Sequence, residues 1–91
     1  MQQEQRWEQY VSEVSVTIPK VSMASEEVVF VGWLVGDGAP VTEGDAIYSI
    51  ETEKVETDIE AAASGILRYG EATDDETYAV GSEIGRIELT S

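Results

Sequence analysis

The sequence predicts one all-β domain, a small sandwich or barrel of short antiparallel strands. The 91 residues allow a single modest core. Runs rich in β-branched and aromatic residues are separated by turn clusters of Gly, Asp and Pro, which is typical of such folds. An offset of 37 positions, which takes Gly44 to Gly81, also aligns one half of the strand region with the other. The fold is therefore predicted to contain two copies of one supersecondary unit.

The N-terminal residues differ in composition from the rest of the chain. Residues 1–13 carry four Gln and three Glu, and helical spacing is shown by Trp7, Tyr10, Val11 and Val14. A helix this short is marginal alone. The chain is therefore predicted to have an N-terminal extension over 1–13, flexible or a short helix, followed by a domain over 14–91.

Strand patterns begin at Val14, where apolar and polar residues alternate until Pro19, which cannot donate to a central ladder. The clearest alternation covers residues 55–61, with apolar or small residues at the odd positions and acidic residues between them. Turn residues at 36–40 separate two of the runs. The predicted strands lie, in order, near residues 14–18, 28–35, 46–50, 55–61, 66–69 and 84–89.

The internal repeat also predicts where the chain ends lie. Under the same offset Thr17 meets Lys54, and Lys54 meets Ser91. If the halves are related by a two-fold axis, the connection at Lys54 occupies one end of the molecule. The two chain termini then lie together at the opposite end.

Charge and composition exclude several classes of function. Five Lys and Arg stand against 19 Asp and Glu, a net charge of −14, which disfavours nucleic acid and anionic membranes as partners. The chain has no Cys or His, so disulfides, Cys/His metal sites and Ser–His–Asp catalysis are ruled out. The acidic run at 74–76 lacks the spaced loop of a calcium-binding EF-hand. Without a signal peptide or an apolar span, a cytoplasmic location is expected.

Lys54 lies between two strand patterns. The link formed by residues 52–54 has no Gly, Asn or Pro, which predicts a type I turn rather than a type I′ or II′ hairpin. Nearby carboxylates favour the charged amine and oppose the depressed pKa that a nucleophilic lysine needs. Lys54 is then either a solvated surface residue or an exposed amine offered to a modifying enzyme. The surrounding carboxylates belong to Glu51, Glu53, Glu56 and Asp58.

The region from about Val16 to Leu89 resembles the lipoyl domain of 2-oxo-acid dehydrogenase complexes, within the wider biotinyl/lipoyl group. The Glu-Thr-Glu-Lys-Val run at 51–55 is similar to the family's lipoylation hairpin. Gly44, ten residues before Lys54, and Gly65, eleven after it, stand where the family places glycines. Other segments similar to the family pattern are residues 18–20, 26–27, 31–35, 36–41 and 43–47.

The resemblance implies a flattened barrel or sandwich of two antiparallel four-stranded sheets with quasi-two-fold symmetry. It implies lipoic acid in amide linkage to Lys54, and a swinging arm that carries acyl groups and reducing equivalents. The implied partners are a lipoate ligase or lipoyl transferase, a thiamine-diphosphate decarboxylase, a dihydrolipoyl acyltransferase and dihydrolipoyl dehydrogenase. The domain itself is expected to be a monomer without turnover, free-standing or part of an acyltransferase component. The residues expected to be read by these enzymes are Glu51, Thr52, Glu53, Val55, Gly44 and Gly65.

Departures from the family pattern touch turns and strand ends. Ser22 and Val28 replace Gly, Ala63 replaces Pro, and Asp75 replaces a Gly before the last hairpin. Biotin-carrying relatives usually place Met on both sides of the lysine, which this chain does not. A biotinyl carrier domain and an unmodified structural module remain the alternatives. The acidic residues near Lys54 are either a solvated surface or steer partners to the arm.

Overall fold

The computed structural model describes residues 13–21, 26–53 and 55–89. The strands are β1 (Glu13–Thr17), β2 (Glu27–Trp33), β3 (Pro40–Val41), β4 (Ala46–Thr52), β5 (Val55–Glu60), β6 (Gly65–Tyr69), β7 (Glu76–Ala79) and β8 (Glu83–Leu89). They form two antiparallel four-stranded sheets, ordered β1-β8-β6-β3 and β5-β4-β2-β7. The sheets stack as a flattened sandwich and do not close into a barrel, so the all-β prediction is confirmed in its sandwich form.

Some predictions concern residues outside those described. The predicted extension over 1–13 lies outside them, apart from Glu13 at the start of β1. Ser22 and Lys54 lie outside them as well. Within the described ranges, no helix is long and apolar enough to cross a membrane.

The predicted internal repeat is confirmed by the strand order. Adding four to each strand number of the first sheet, and counting on from β8 to β1, gives the strand order of the second sheet. Backbone conformations repeat as well: Gly44 and Gly81 have φ of 96° and 94°, and Gly38 and Asp75 have φ of 88° and 66°. Aspartate tolerates this left-handed region better than most residues do. The replacement of the family's Gly by Asp75 therefore preserves the turn.

The core between the sheets is built from the inward-facing residues of both halves. Phe30 is fully buried, and its ring meets those of Trp33 and Tyr78 edge-on, at centroid distances of 5.3 and 6.4 Å. The hydroxyl of Tyr48 donates a hydrogen bond of 2.9 Å to the carbonyl oxygen of Thr17, which joins β4 to the opposite sheet. Burial raises the pKa of Tyr48 to about 12. The hydroxyl thus stays protonated and remains a donor.

The pseudo-symmetry relates the β4–β5 connection to the start of β1 and the end of β8. The β4–β5 pair in one sheet corresponds to the β8–β1 pair in the other. The connection between Thr52 and Val55 is therefore equivalent to the gap between Leu89 and Glu13, as the repeat predicted. The two places are related by the pseudo-two-fold axis. The predicted alignment of Thr17 with Lys54 is wrong, because the strand registers make Thr17 equivalent to Glu60.

Candidate functional site

The connection from β4 to β5 is two residues long. The strands pair from Ala46 opposite Glu60 to Thr52 opposite Val55, so Glu53 and Lys54 alone join them. Lys54 lies outside the described residues, and its role as the attachment point stays a prediction. Its neighbours on both sides are described and define the hairpin that carries it.

The turn differs from the predicted type. Glu53 has a φ of 50°, whereas a type I turn needs a φ near −60° at this position. The type I prediction is therefore wrong. A two-residue link between twisted antiparallel strands favours a type I′ or II′ turn. The strand twist therefore imposes a positive φ on Glu53, although the link contains no Gly, Asn or Asp, the residues that adopt it most easily. A side chain in the left-handed region costs about 1–2 kcal/mol.

We expect Glu53→Gly to raise the free energy of unfolding by about 0.5–1 kcal/mol. Glycine adopts a positive φ without strain from a Cβ, and this gain is partly offset because glycine makes the unfolded chain more flexible. Urea unfolding followed by circular dichroism measures the change. Glu56→Gly, one residue into the regular part of β5, is the control and should lower stability. A lower stability of Glu53→Gly would contradict the strain at this turn.

The hairpin stands on a buried interior strand. β4 lies between β5 and β2, and Ile50 is fully buried in the core. Ser49, only 2% exposed, donates a hydrogen bond of 2.7 Å to Oδ1 of Asp58 on β5. Ser49 was not predicted as a functional residue, although a lone serine in an apolar strand pattern was the available signal. These contacts hold the base of the turn rigid, which suits a functional turn on a β scaffold.

Four of the predicted recognition residues meet at the hairpin. Glu51, Glu53 and Val55 are exposed, Val55 by 59%, and Thr52 is half-buried. Glu51 pairs directly with Glu56 across the strands. The hairpin thus presents carboxylates and one apolar side chain around the position of the lysine. Whether enzymes read these residues stays a prediction.

The two predicted glycines lie away from the hairpin. Gly44 precedes β4, at the end opposite Thr52, and β4 itself spans about 20 Å at 3.3 Å per residue. Gly44 has a positive φ, and its N–H donates a 2.9 Å hydrogen bond to the carbonyl oxygen of Ala61. Gly65 belongs to the other sheet, where a Cβ would overlap the backbone of Glu88. Both glycines have a role in the scaffold, and recognition through them stays a prediction.

Sequence comparisons identify relatives of this region. The Biotin_lipoyl family model, described as "Biotin-requiring enzyme", matches residues 14–87. The acetyltransferase component of an acetoin cleaving system from Pseudomonas putida, a dihydrolipoyllysine-residue enzyme, is 35% identical over 75% of this chain and 18% of its own length. The dihydrolipoyllysine-residue succinyltransferase component of the 2-oxoglutarate dehydrogenase complex from Rickettsia felis is 32% identical over 81% of this chain and 18% of its own length. The chain therefore spans about a fifth of these relatives.

Solved structures show the same fold. The lipoyl domain of the 2-oxoglutarate dehydrogenase complex from Azotobacter vinelandii superimposes with a TM-score of 0.66 at 23% identity, covering 86% of this chain and 96% of that one. A multi-domain long-chain acyl-CoA carboxylase superimposes with a TM-score of 0.68 at 15% identity, covering 90% of this chain and 8% of that one. At these identities the likeness concerns the fold alone.

Proposed function

The chain belongs to the Biotin_lipoyl family, and from that premise we propose that it is a lipoyl carrier domain, modified by lipoic acid in amide linkage to Lys54. The observation that carries this proposal is the two-residue β4–β5 connection. The two neighbours of Lys54 in the chain, Glu53 and Val55, are exposed, and they lie where the interior strand β4 joins the hydrogen-bonded edge strand β5.

The residues around the connection fit an attached arm. An amide on Lys54 needs an accessible amine, and the exposure of Glu53 and Val55 leaves the turn open to an enzyme. The rigid base holds the start of the arm, since Ser49 and Asp58 are joined by a hydrogen bond beneath it. A lipoyl group supplies a cyclic disulfide that accepts acyl groups and electrons. The domain contributes tethering, which raises the effective concentration at each partner's active site.

Lipoic acid is preferred to biotin as the attached group. The two curated relatives described above are named for a dihydrolipoyl-lysine. The carboxylase likeness rests on a fold match at 15% identity. The flanking residues Glu53 and Val55 also differ from the methionines usual beside a biotinylated lysine. A biotinyl carrier is the second candidate, because the family model covers both attached groups.

The partners follow from this proposal. A lipoate ligase or lipoyl transferase modifies Lys54, a thiamine-diphosphate decarboxylase loads the arm, and a dihydrolipoyl acyltransferase unloads it. Dihydrolipoyl dehydrogenase then returns the arm to the disulfide. The domain has no turnover of its own and serves a 2-oxo-acid or acetoin dehydrogenase complex.

We expect the wild-type chain to gain one lipoyl group when incubated with lipoate, ATP and a lipoate ligase, and Lys54→Arg to gain none. Intact-mass spectrometry measures the gain. Lys20→Arg, which alters the chain's other lysine, is the matched control and should be modified like wild type. No gain on wild type, or an equal gain on Lys54→Arg, would reject the proposal. A gain only with biotin and a biotin ligase would establish the biotinyl alternative.

A further inference from the structure

The two sheets differ sharply in charge although they are copies of one unit. The strands of the β1-β8-β6-β3 sheet carry three carboxylates and two arginines, Arg68 and Arg86. The strands of the β5-β4-β2-β7 sheet carry no Lys or Arg. Their six carboxylates belong to Glu27, Glu51, Glu56, Asp58, Glu60 and Glu76.

The same like-charge pair occurs once in each sheet. Glu51 on β4 stands directly opposite Glu56 on β5, and Glu88 on β8 stands directly opposite Glu13 on β1. The offset of 37 positions takes Glu51 to Glu88, so the two pairs are equivalent. Like charges directly opposite each other destabilise a sheet unless something compensates them.

Two arginines compensate the pair in the first sheet. Nε of Arg86 lies 3.2 Å from Oε1 of Glu13, and its Nη2 lies 3.4 Å from Oε2 of Glu88. Nε of Arg68 lies 3.1 Å from Oε1 of Glu88. The hydrogen bond from Arg68 holds the pKa of the Glu88 carboxyl below its ordinary value. This half of the molecule shows that guanidinium groups satisfy a carboxylate pair of this geometry.

The second sheet lacks both arginines. The strand registers place Ser49 where the other sheet has Arg86, and Gly32, opposite Ser49, where it has Arg68, and neither residue carries a charge. Ser49 instead donates to Asp58, which adds a third carboxylate to the face. The β4–β5 pair thus repeats the carboxylates of the other half without the two guanidinium groups.

We propose that the acidic hairpin face, formed by Glu51, Glu56 and Asp58 on the outer side of β4 and β5, docks a guanidinium- or ammonium-bearing surface of the enzyme that modifies Lys54. This inference rests on the proposed function. The partner's basic side chains take the places that Arg68 and Arg86 occupy in the other half. Val55, although 59% exposed, alternates to the other side of β5 and takes no part in this face.

The first test removes the carboxylates with a matched control. Glu51→Gln/Glu56→Gln is expected to lower kcat/KM for lipoylation by a lipoate ligase about tenfold at about 20 mM salt. Glu13→Gln/Glu88→Gln changes the net charge by the same amount at the equivalent pair and is expected to stay within about twofold of wild type. At about 500 mM salt the difference should largely vanish, because screening weakens the attraction.

The second test keeps every carboxylate and introduces an arginine on β2 of this chain to neutralise the pair. Val29→Arg places a guanidinium directly opposite Glu51 and is expected to lower kcat/KM about tenfold at low salt. Val29→Gln, a polar replacement without the charge, is expected to stay near wild type. Thermal unfolding of each variant checks that the sandwich is intact.

The outcomes separate the two proposals. Equal rates for all variants would overturn the acidic hairpin face while leaving the lipoyl assignment in place. An equal fall for both glutamine doubles would also overturn it, because net charge would then suffice. No lipoylation of wild type at either salt concentration would overturn the proposed function, and the docking face with it. A fall confined to Glu51→Gln/Glu56→Gln and Val29→Arg, and reversed by salt, supports the docking face.

Discussion

Gly65→Ala is expected to destabilise the domain severely. Gly65 pairs with Leu89 where β6 approaches β8, and a Cβ there would overlap the carbonyl group of Glu88 and crowd Ile87. The obstacle is backbone in an interior strand, so it cannot swing aside. We expect a loss of about 4 kcal/mol or more, against a total stability of about 5–15 kcal/mol for small domains. Circular dichroism with urea unfolding measures the loss.

Gly36→Ala is the matched control for this prediction. Gly36 lies in the turn after β2, and a Cβ there would meet nothing within 4 Å. The change should therefore alter stability by no more than about 0.5 kcal/mol. A cooperative transition of Gly65→Ala at the wild-type midpoint would show that the two strands can separate locally at no cost.

Phe30→Ala is expected to lower the free energy of unfolding by about 3–5 kcal/mol. Phe30 is fully buried and contacts the rings of Trp33, Tyr48 and Tyr78. Its removal costs the transfer free energy of the ring and leaves a cavity between rigid strands. The shift in urea midpoint at constant slope measures the change.

Leu34→Ala is the control for the aromatic core. Leu34 is as apolar as Phe30 by type but is 50% exposed, so its loss should cost about 0.5 kcal/mol or less. Phe30 also pairs with Ile50 on β4, two residues before Thr52. We therefore expect lipoylation of Phe30→Ala to fall with the folded fraction. Equal stabilities of the two variants would contradict the central role of the Phe30 ring.

Much of the fold was predictable because its signals are local in the sequence. Alternation and the 37-residue offset located the cores of β4 and β8, which the structure places at Ala46–Thr52 and Glu83–Leu89. The strands β3 (Pro40–Val41) and β7 (Glu76–Ala79) were not predicted. Both are short edge strands in which the alternation of apolar and polar residues is too brief to be detected in the sequence.

The candidate site was predictable in composition but not in geometry. The residues around Lys54 resemble a lipoylation hairpin, and the structure brings four of the predicted neighbours together at one turn. The turn type was predicted incorrectly, because φ at Glu53 follows from the twist of the two strands rather than from residue preference. Gly65 was predicted as a recognition residue, whereas its position against Glu88 became visible only with the β6–β8 pairing.

The amino-acid sequence alone determined the all-β class, the internal repeat and the resemblance of the Lys54 region to a lipoylation hairpin, because each depends on the spacing of residues along the chain. Three-dimensional pairing decided which carboxylates have arginine partners. Arg86 reaches Glu13 across 73 positions of sequence, while the equivalent Ser49 leaves Glu51 and Glu56 facing each other. Electrostatic compensation acts over a few ångströms and depends on strand register, which long-range sheet pairing sets.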